Sequence, residues 1–283
     1  MPLRDCFHDE DEDARSPGSI LRSVEHMTAA EKWARDLATW AIPDEVLAQA
    51  TDSPWIHPPV LFDIPAHIAP SPSHDRAREA LGGEASVLDI GCGGGIATFA
   101  LVPDVQFGVG VDHQPAMLTM YQENGERRGV RTATVAGDWP DVAHAAPRCD
   151  VVAVHHVVYN VSAIVPFVAA AAAHARHCVV IELPTRHPLE PLSAAWQFFW
   201  HLDRPSDPTP TDLMAVLRSM GVTPQLEEWE GPMRTEVDLD QAAHFTRIRL
   251  CLPKEREPEV RAFLESSPPP ERRSLATIWW DVA

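Results

Sequence analysis

No Cys-x-x-Cys pair occurs in this chain of 283 residues, and its five cysteines (Cys6, Cys92, Cys149, Cys178 and Cys251) are odd in number and scattered. That pattern excludes a cysteine-framed zinc site and a disulfide framework, and leaves buried free thiols. His-Glu-x-x-His is missing too, and the 14 histidines show no comparable ligand spacing, so no metal is expected. Basic residues are few: 23 Lys plus Arg stand against 41 Asp plus Glu, for a net charge of −18. With no Lys/Arg cluster to build a groove, the phosphate-neutralising attraction that dominates nucleic-acid affinity is lacking, which argues against nucleic acid as a partner. No apolar run approaches the length of a membrane span, and no basic start followed by an apolar stretch marks a secretory leader. The expectation is therefore a cytoplasmic protein without a membrane partner. No internal repeat is found.

What is present suits one α/β core with added helices, since 45% of the residues are hydrophobic. The acidic run Asp9–Asp13 and the breaker Ser16-Pro17-Gly18 predict a solvated, disordered tail over residues 1–18. Thr28 and Glu31 form a capping-box pair, and Trp33, Leu37, Trp40 and Ala41 follow at helical spacing. Pro43 can open a second helix through Val46 and Leu47, and the proline-rich stretch from Ser53 to Pro59 reads as an extended loop. Residues 19–80 thus form a helical cap, and 81–283 the core.

Apolar strands are predicted at 86–90, 107–111, 131–135, 149–154, 178–182, 223–229 and 276–282, with helices such as Pro115–Glu123, Ser162–His174 and Thr211–Met220 between them. Alternation of this kind, with strands apolar on both faces, argues for a Rossmann-like, mostly parallel seven-stranded sheet with helices on both faces. Two inserts, 184–210 and 233–272, interrupt it. Within the second, Leu239, Ala242, Phe245, Ile248 and Leu252 fit a helix capped by Asp238, while Ile248, Leu250 and Leu252 fit a strand; the helix is preferred.

The chemistry centres on Val87-Leu88-Asp89-Ile90-Gly91-Cys92-Gly93-Gly94-Gly95, a strand running into D-x-G-x-G-x-G and then a short helix from Ile96 to Leu101. Glycines here allow a tight turn and close ligand approach, and the helix start presents unpaired N–H groups. A nicotinamide-dinucleotide fingerprint, G-x-G-x-x-G/A, fails on Ile96 counted from Gly91 and on Thr98 counted from Gly93.

This segment resembles the class I S-adenosylmethionine-dependent methyltransferases of the small-molecule type, and the likeness covers roughly residues 85–185. The resemblance implies S-adenosylmethionine as cofactor, held by Asp89, by the turn Gly91, Cys92, Gly93 and Gly95, and by Asp112, which hooks both ribose hydroxyls, with His113 beside it. It also implies that Asp138 contacts the adenine amino group, that the Trp139 backbone N–H faces the ring, and that His155 meets the methionyl part through its backbone; the Trp139 indole can in addition pack on the purine. Asp150, at the start of strand four, is the acidic residue the family often carries there.

The methyl-proximal position falls just beyond strand four. His156 is the preferred base or substrate contact and Tyr159 the second catalytic candidate, although buried structural imidazoles would look the same in the sequence. Neither the D/N-P-P-Y pattern of amine-methylating relatives nor the metal-binding carboxylates of the catechol type is present. Trp55, His57, His187, Trp196, Trp200 and His244, all in the cap or inserts, are the candidate lining for a small organic substrate, while a Trp/Phe cluster at helical spacing equally suits a core. The expected activity is methyl transfer to an O or N atom of a small molecule. Methylation of protein or RNA, and a non-catalytic cofactor-binding regulator, are the alternatives.

Overall fold

Five consecutive buried residues, Ser86–Ile90, make strand β1 at the centre of the molecule, and both neighbouring strands run parallel to it. The computed structural model describes residues 27–55, 62–232, 238–268, 270 and 272–282; the expected tail over 1–18, Cys6 and His57 lie outside them. Beyond β1 come β2 (Phe107–Asp112), β3 (Arg131–Ala136), β4 (Cys149–His155), β5 (Ala175–Pro184), β6 (Gln225–Pro232) and β7 (Arg272–Asp281). Their order is β3-β2-β1-β4-β5-β7-β6, with β7 antiparallel to both of its neighbours. Leu88 faces Val109 on one side and Val152 on the other, so branched apolar side chains fill both faces of the central strands.

Strand order reverses between β1 and β4. Their carboxyl ends therefore diverge into helices on opposite faces and leave a crevice above the sheet, the place where open α/β sheets bind ligands. Helix α4 (Ile96–Phe99) leaves from β1, α5 (Pro115–Arg128) from β2 and α6 (Ile164–His174) from beyond β4. Helix α3 (Pro72–Glu79), capped by Ser71, packs across β5 and β7.

Ahead of the core, α1 (Ala29–Ala38) has the expected capping box, with the Thr28 N–H donated to Glu31 at 2.8 Å and the Glu31 N–H donated to Thr28 Oγ1 at 3.2 Å. Trp33 is fully buried and donates its indole N–H to the Val161 carbonyl at 2.8 Å, which anchors the cap to the β4 side of the crevice. Lys32 bridges Asp36 and Asp212, tying α1 to α8 (Pro210–Ser219).

Residues 239–249 are helical, as α9 (Leu239–Arg249), capped by Asp238, and α10 (Glu257–Ser266) lies against it. Helix wins over strand because the apolar face has a helical neighbour to bury against. Trp196 and Phe199 of α7 (Ser193–Trp200), Ala243 of α9 and Val260 of α10 join Ile42, Leu250 and Leu252, as well as Val46 of α2 (Asp44–Leu47), in one satellite core. Part of the cap, around Ile42 and Val46, thus shares one packed core with both inserts.

Candidate active site

The donor half of the crevice is built by backbone. Gly91 has φ +69°, and a Cβ there would lie 2.4 Å from Cγ2 of Val157, so a side chain is excluded by both conformation and space. Gly95 (φ +90°) starts α4, and its Cβ would meet the Phe99 ring at 2.4 Å. Asp112 ends β2 with one carboxylate oxygen accepting the Gly93 N–H at 3.1 Å and the other accepting the Gln114 N–H at 2.9 Å. Pinned from two sides, it faces the crevice and also steadies the start of α5. Asp89 is buried beneath the turn and accepts the Thr98 hydroxyl at 2.9 Å. Tyr121 closes that chain: Thr98 gives its one proton to Asp89, so the Tyr121 hydroxyl donates to Thr98 at 2.9 Å, and burial, then the nearby Asp89, push the phenol well above the usual range. The Cys92 thiol is likewise pushed up by burial and stays protonated.

On the opposite side, β4 ends at His155, and His156 follows with φ +62°, a left-handed backbone that a non-glycine residue adopts at a cost. Glu182 of β5 holds it there. The Glu182 carbonyl accepts the His156 N–H at 2.7 Å, and its carboxylate lies 3.1 Å from His156 Nε2. Arg273 approaches the same nitrogen at 3.4 Å; the shorter contact to the carboxylate assigns the Nε2 proton to Glu182 and the lone pair to Nδ1. Burial opposes ionisation of Glu182, but His155, His156 and the Ser73 hydroxyl outweigh it and hold the carboxyl well below its ordinary value. Both halves open on one crevice of about 490 Å³, walled further by Trp55, Phe62, Val157 and Phe167. Its glycine cradle and paired carboxylates fit a nucleoside with a cationic tail.

Residues 87–178 match the family described as "Methyltransferase domain". That stretch of the chain is a methyltransferase domain, and its cofactor is S-adenosylmethionine. A ubiquinone biosynthesis O-methyltransferase from Azorhizobium caulinodans is 37% identical over 76 residues, which is 27% of this chain and 30% of that protein's length. The YcgJ protein of Bacillus subtilis superposes with a TM-score of 0.50 at 17% identity, over 74% of this chain and 97% of that one, a likeness of fold. A methyltransferase from Thiobacillus denitrificans in complex with S-adenosyl-L-homocysteine gives 0.48 at 19% identity, over 86% and 99%.

Within the methyltransferase domain, the residues expected around the cofactor all line the crevice: Asp89, Gly91, Cys92, Gly93, Asp112, His113, Asp138, Trp139 and His155, with Gly95 immediately behind the turn. Asp138 is exposed at the mouth, 3.8 Å from His113, and Trp139 donates its indole N–H to the Phe167 carbonyl at 3.2 Å. Asp150 sits at the other end of β4, where it accepts the N–H groups of Gly82 and Ser86 and pins the approach to β1.

Tyr159 is not brought to the crevice. A 3-10 turn at Val158–Asn160 carries it into the core, where its hydroxyl donates to the Pro184 carbonyl at 2.9 Å and its ring stacks on Trp33. Burial raises its pKa, which removes it further from acid–base work at neutral pH. Of the expected substrate lining, Trp55 alone among the described residues faces the crevice. His187 stacks on Trp40 at 4.0 Å and is pushed down to about 4 by burial; Trp196 is the centre of the satellite core; Trp200 donates to the Leu250 carbonyl; and His244 pairs with Glu257. These four hold the cap and inserts together. Glu182, Phe62 and Phe167 join the site without any place among the residues expected from the sequence. Glu182 had one available signal: a lone charge within the apolar strand Cys178–Leu183.

Proposed function

We propose that the protein moves the methyl group of S-adenosylmethionine to an oxygen or nitrogen atom of a small organic molecule in the cytoplasm. The observation that carries this reading is the His156–Glu182 pair at 3.1 Å, set in the same crevice as Asp112. Asp112 receives the ribose hydroxyls, Asp138 and Trp139 border the adenine, and the glycine turn and the His155 backbone flank the methionyl group. When bound, the cofactor supplies a sulfonium methyl and a neutral leaving group, so the protein's task is to align an acceptor and exclude water.

His156 takes the acceptor's proton, and Glu182 is the positioning residue that holds the ring and steadies the cation formed. Trp55, Phe62 and Phe167 supply the apolar walls expected of a small-molecule site, and the crevice volume falls in the ordinary range for one. The ubiquinone-biosynthesis relative is an O-methyltransferase by name, which favours oxygen as the accepting atom. The acid-rich composition disfavours RNA. The four described cysteines are buried free thiols, in keeping with a reducing compartment, and no helix among the described residues is long and apolar enough to cross a membrane.

Incubation with methyl-labelled cofactor and separate metabolite, RNA and protein fractions tests the reading. Label is expected in the metabolite fraction. Label in a macromolecule, or transfer to nothing, contradicts it.

A further inference from the structure

His74 lies on α3, outside the methyl-transfer machinery, yet its ring reaches the same buried carboxylate that serves His156. It is 6% exposed, and its Nδ1 is buried without a hydrogen-bond partner among the described residues. Its ring stacks on that of His155 with centroids 5.8 Å apart. The Nδ1 of His155 lies 4.0 Å from Glu182 Oε1, and one ligand atom from each of His74, His155 and Glu182 lies within 4.8 Å of the other two. All three residues are buried. The cluster thus gathers two imidazoles and a carboxylate out of water, and the unpartnered Nδ1 leaves the His74 ring with unused capacity to bind there.

We propose that His74, His155 and Glu182 bind one divalent cation of the Zn²⁺ class. Two imidazoles and a carboxylate form a donor set suited to zinc, whereas calcium and magnesium take all-oxygen shells. Zn–N bonds of about 2.0–2.1 Å place tetrahedral ligands about 3.4 Å apart, so the three side chains close by roughly an ångström on the ion. An outer shell is already present: the Ser71 hydroxyl donates to Glu182 Oε2 at 3.3 Å, and Ser71 also caps the turn that carries His74. The ligands come from α3, β4 and β5, so the ion clips the helix preceding the core to two central strands. That origin also explains why local ligand spacing in the sequence pointed to no metal. The site does not depend on the methyl-transfer reading, because its test is binding.

Chelator-treated full-length protein is titrated with Co²⁺, followed by its visible absorption, and then with competing Zn²⁺. One equivalent is expected, with a tetrahedral or five-coordinate cobalt spectrum displaced by Zn²⁺ and a raised melting temperature. His74→Gln, compared in metal-free form for an unchanged melting temperature, is expected to lose more than the roughly 10–100-fold that loss of an outer-shell partner costs. If that variant does not fold, X-ray absorption of the Zn²⁺-loaded wild type reads the shell directly, and two imidazole scatterers are expected. Absence of a stoichiometric ion, equal affinity in His74→Gln, or a shell without imidazole overturns the proposal.

Discussion

The donor half of the crevice comes from one stretch of chain: Asp89, the glycine turn and Asp112 follow each other along β1 and β2, and the main chain makes the contacts. Its acceptor half is assembled from distant segments. Trp55 comes from the cap, His156 from beyond β4, Glu182 from β5 and Arg273 from β7. One half thus depends on local backbone geometry, which few residue types allow, and the other on side chains that meet only after the sheet has formed. The first should fail by losing the cofactor, the second by losing turnover.

The largest expected effect tests that division on the acceptor side. His156→Ala is expected to lower turnover by about 10²-fold or more, the usual contribution of a positioned base, with cofactor affinity within about twofold of wild type. Unchanged turnover across pH on an identified acceptor would remove the base. On the donor side, Asp112→Ala is expected to weaken cofactor binding by roughly 2–3 kcal/mol through lost charge-assisted hydrogen bonds, measured by calorimetry. Equal affinity would mean that the two halves share the ribose contact.

Below these come changes at buried rings that do not line the crevice. His187 has its pKa depressed from 6.5 to about 4 by burial, so the unfolded chain takes up the proton first. Its contribution to stability is complete above about pH 6.5 and is lost as the pH falls towards about 4. Between about pH 7.5 and pH 5 that amounts to about 2 kcal/mol. His187→Phe keeps a ring on Trp40 and is expected to flatten the slope by that amount in urea denaturation; an unchanged slope would place the titration elsewhere. Smallest of all, Tyr159→Phe removes the bond to the Pro184 carbonyl and is expected to cost about 1 kcal/mol of stability with turnover unaltered. A fall in turnover would restore Tyr159 to the chemistry.

The same contrast separates what could be read along the chain from what could not. Strands β1 to β5 and the Asp112 position are written in short-range pattern: apolar runs, three alternating glycines and an acid at a strand end. The inward direction of Tyr159 has no sequence signal, because it depends on a 3-10 turn beyond β4 that no periodicity announces. Trp196 and Trp55 look alike as tryptophans, yet the helical spacing of Trp196, Phe199 and Trp200 belongs to a buried helix face, while Trp55 sits in a proline-rich loop and is 50% exposed. Glu182 became meaningful only through register, since β5 places it opposite His155.

A crystal structure of the protein grown with S-adenosylhomocysteine tests whether the backbone turn and Asp112 hold the adenosyl group. Both ribose hydroxyls are expected about 2.5–3.0 Å from the Asp112 carboxylate, with the amino-acid tail along Gly91–Gly95. A nucleoside bound away from Asp112, or a crevice without ligand at saturating concentration, would contradict it.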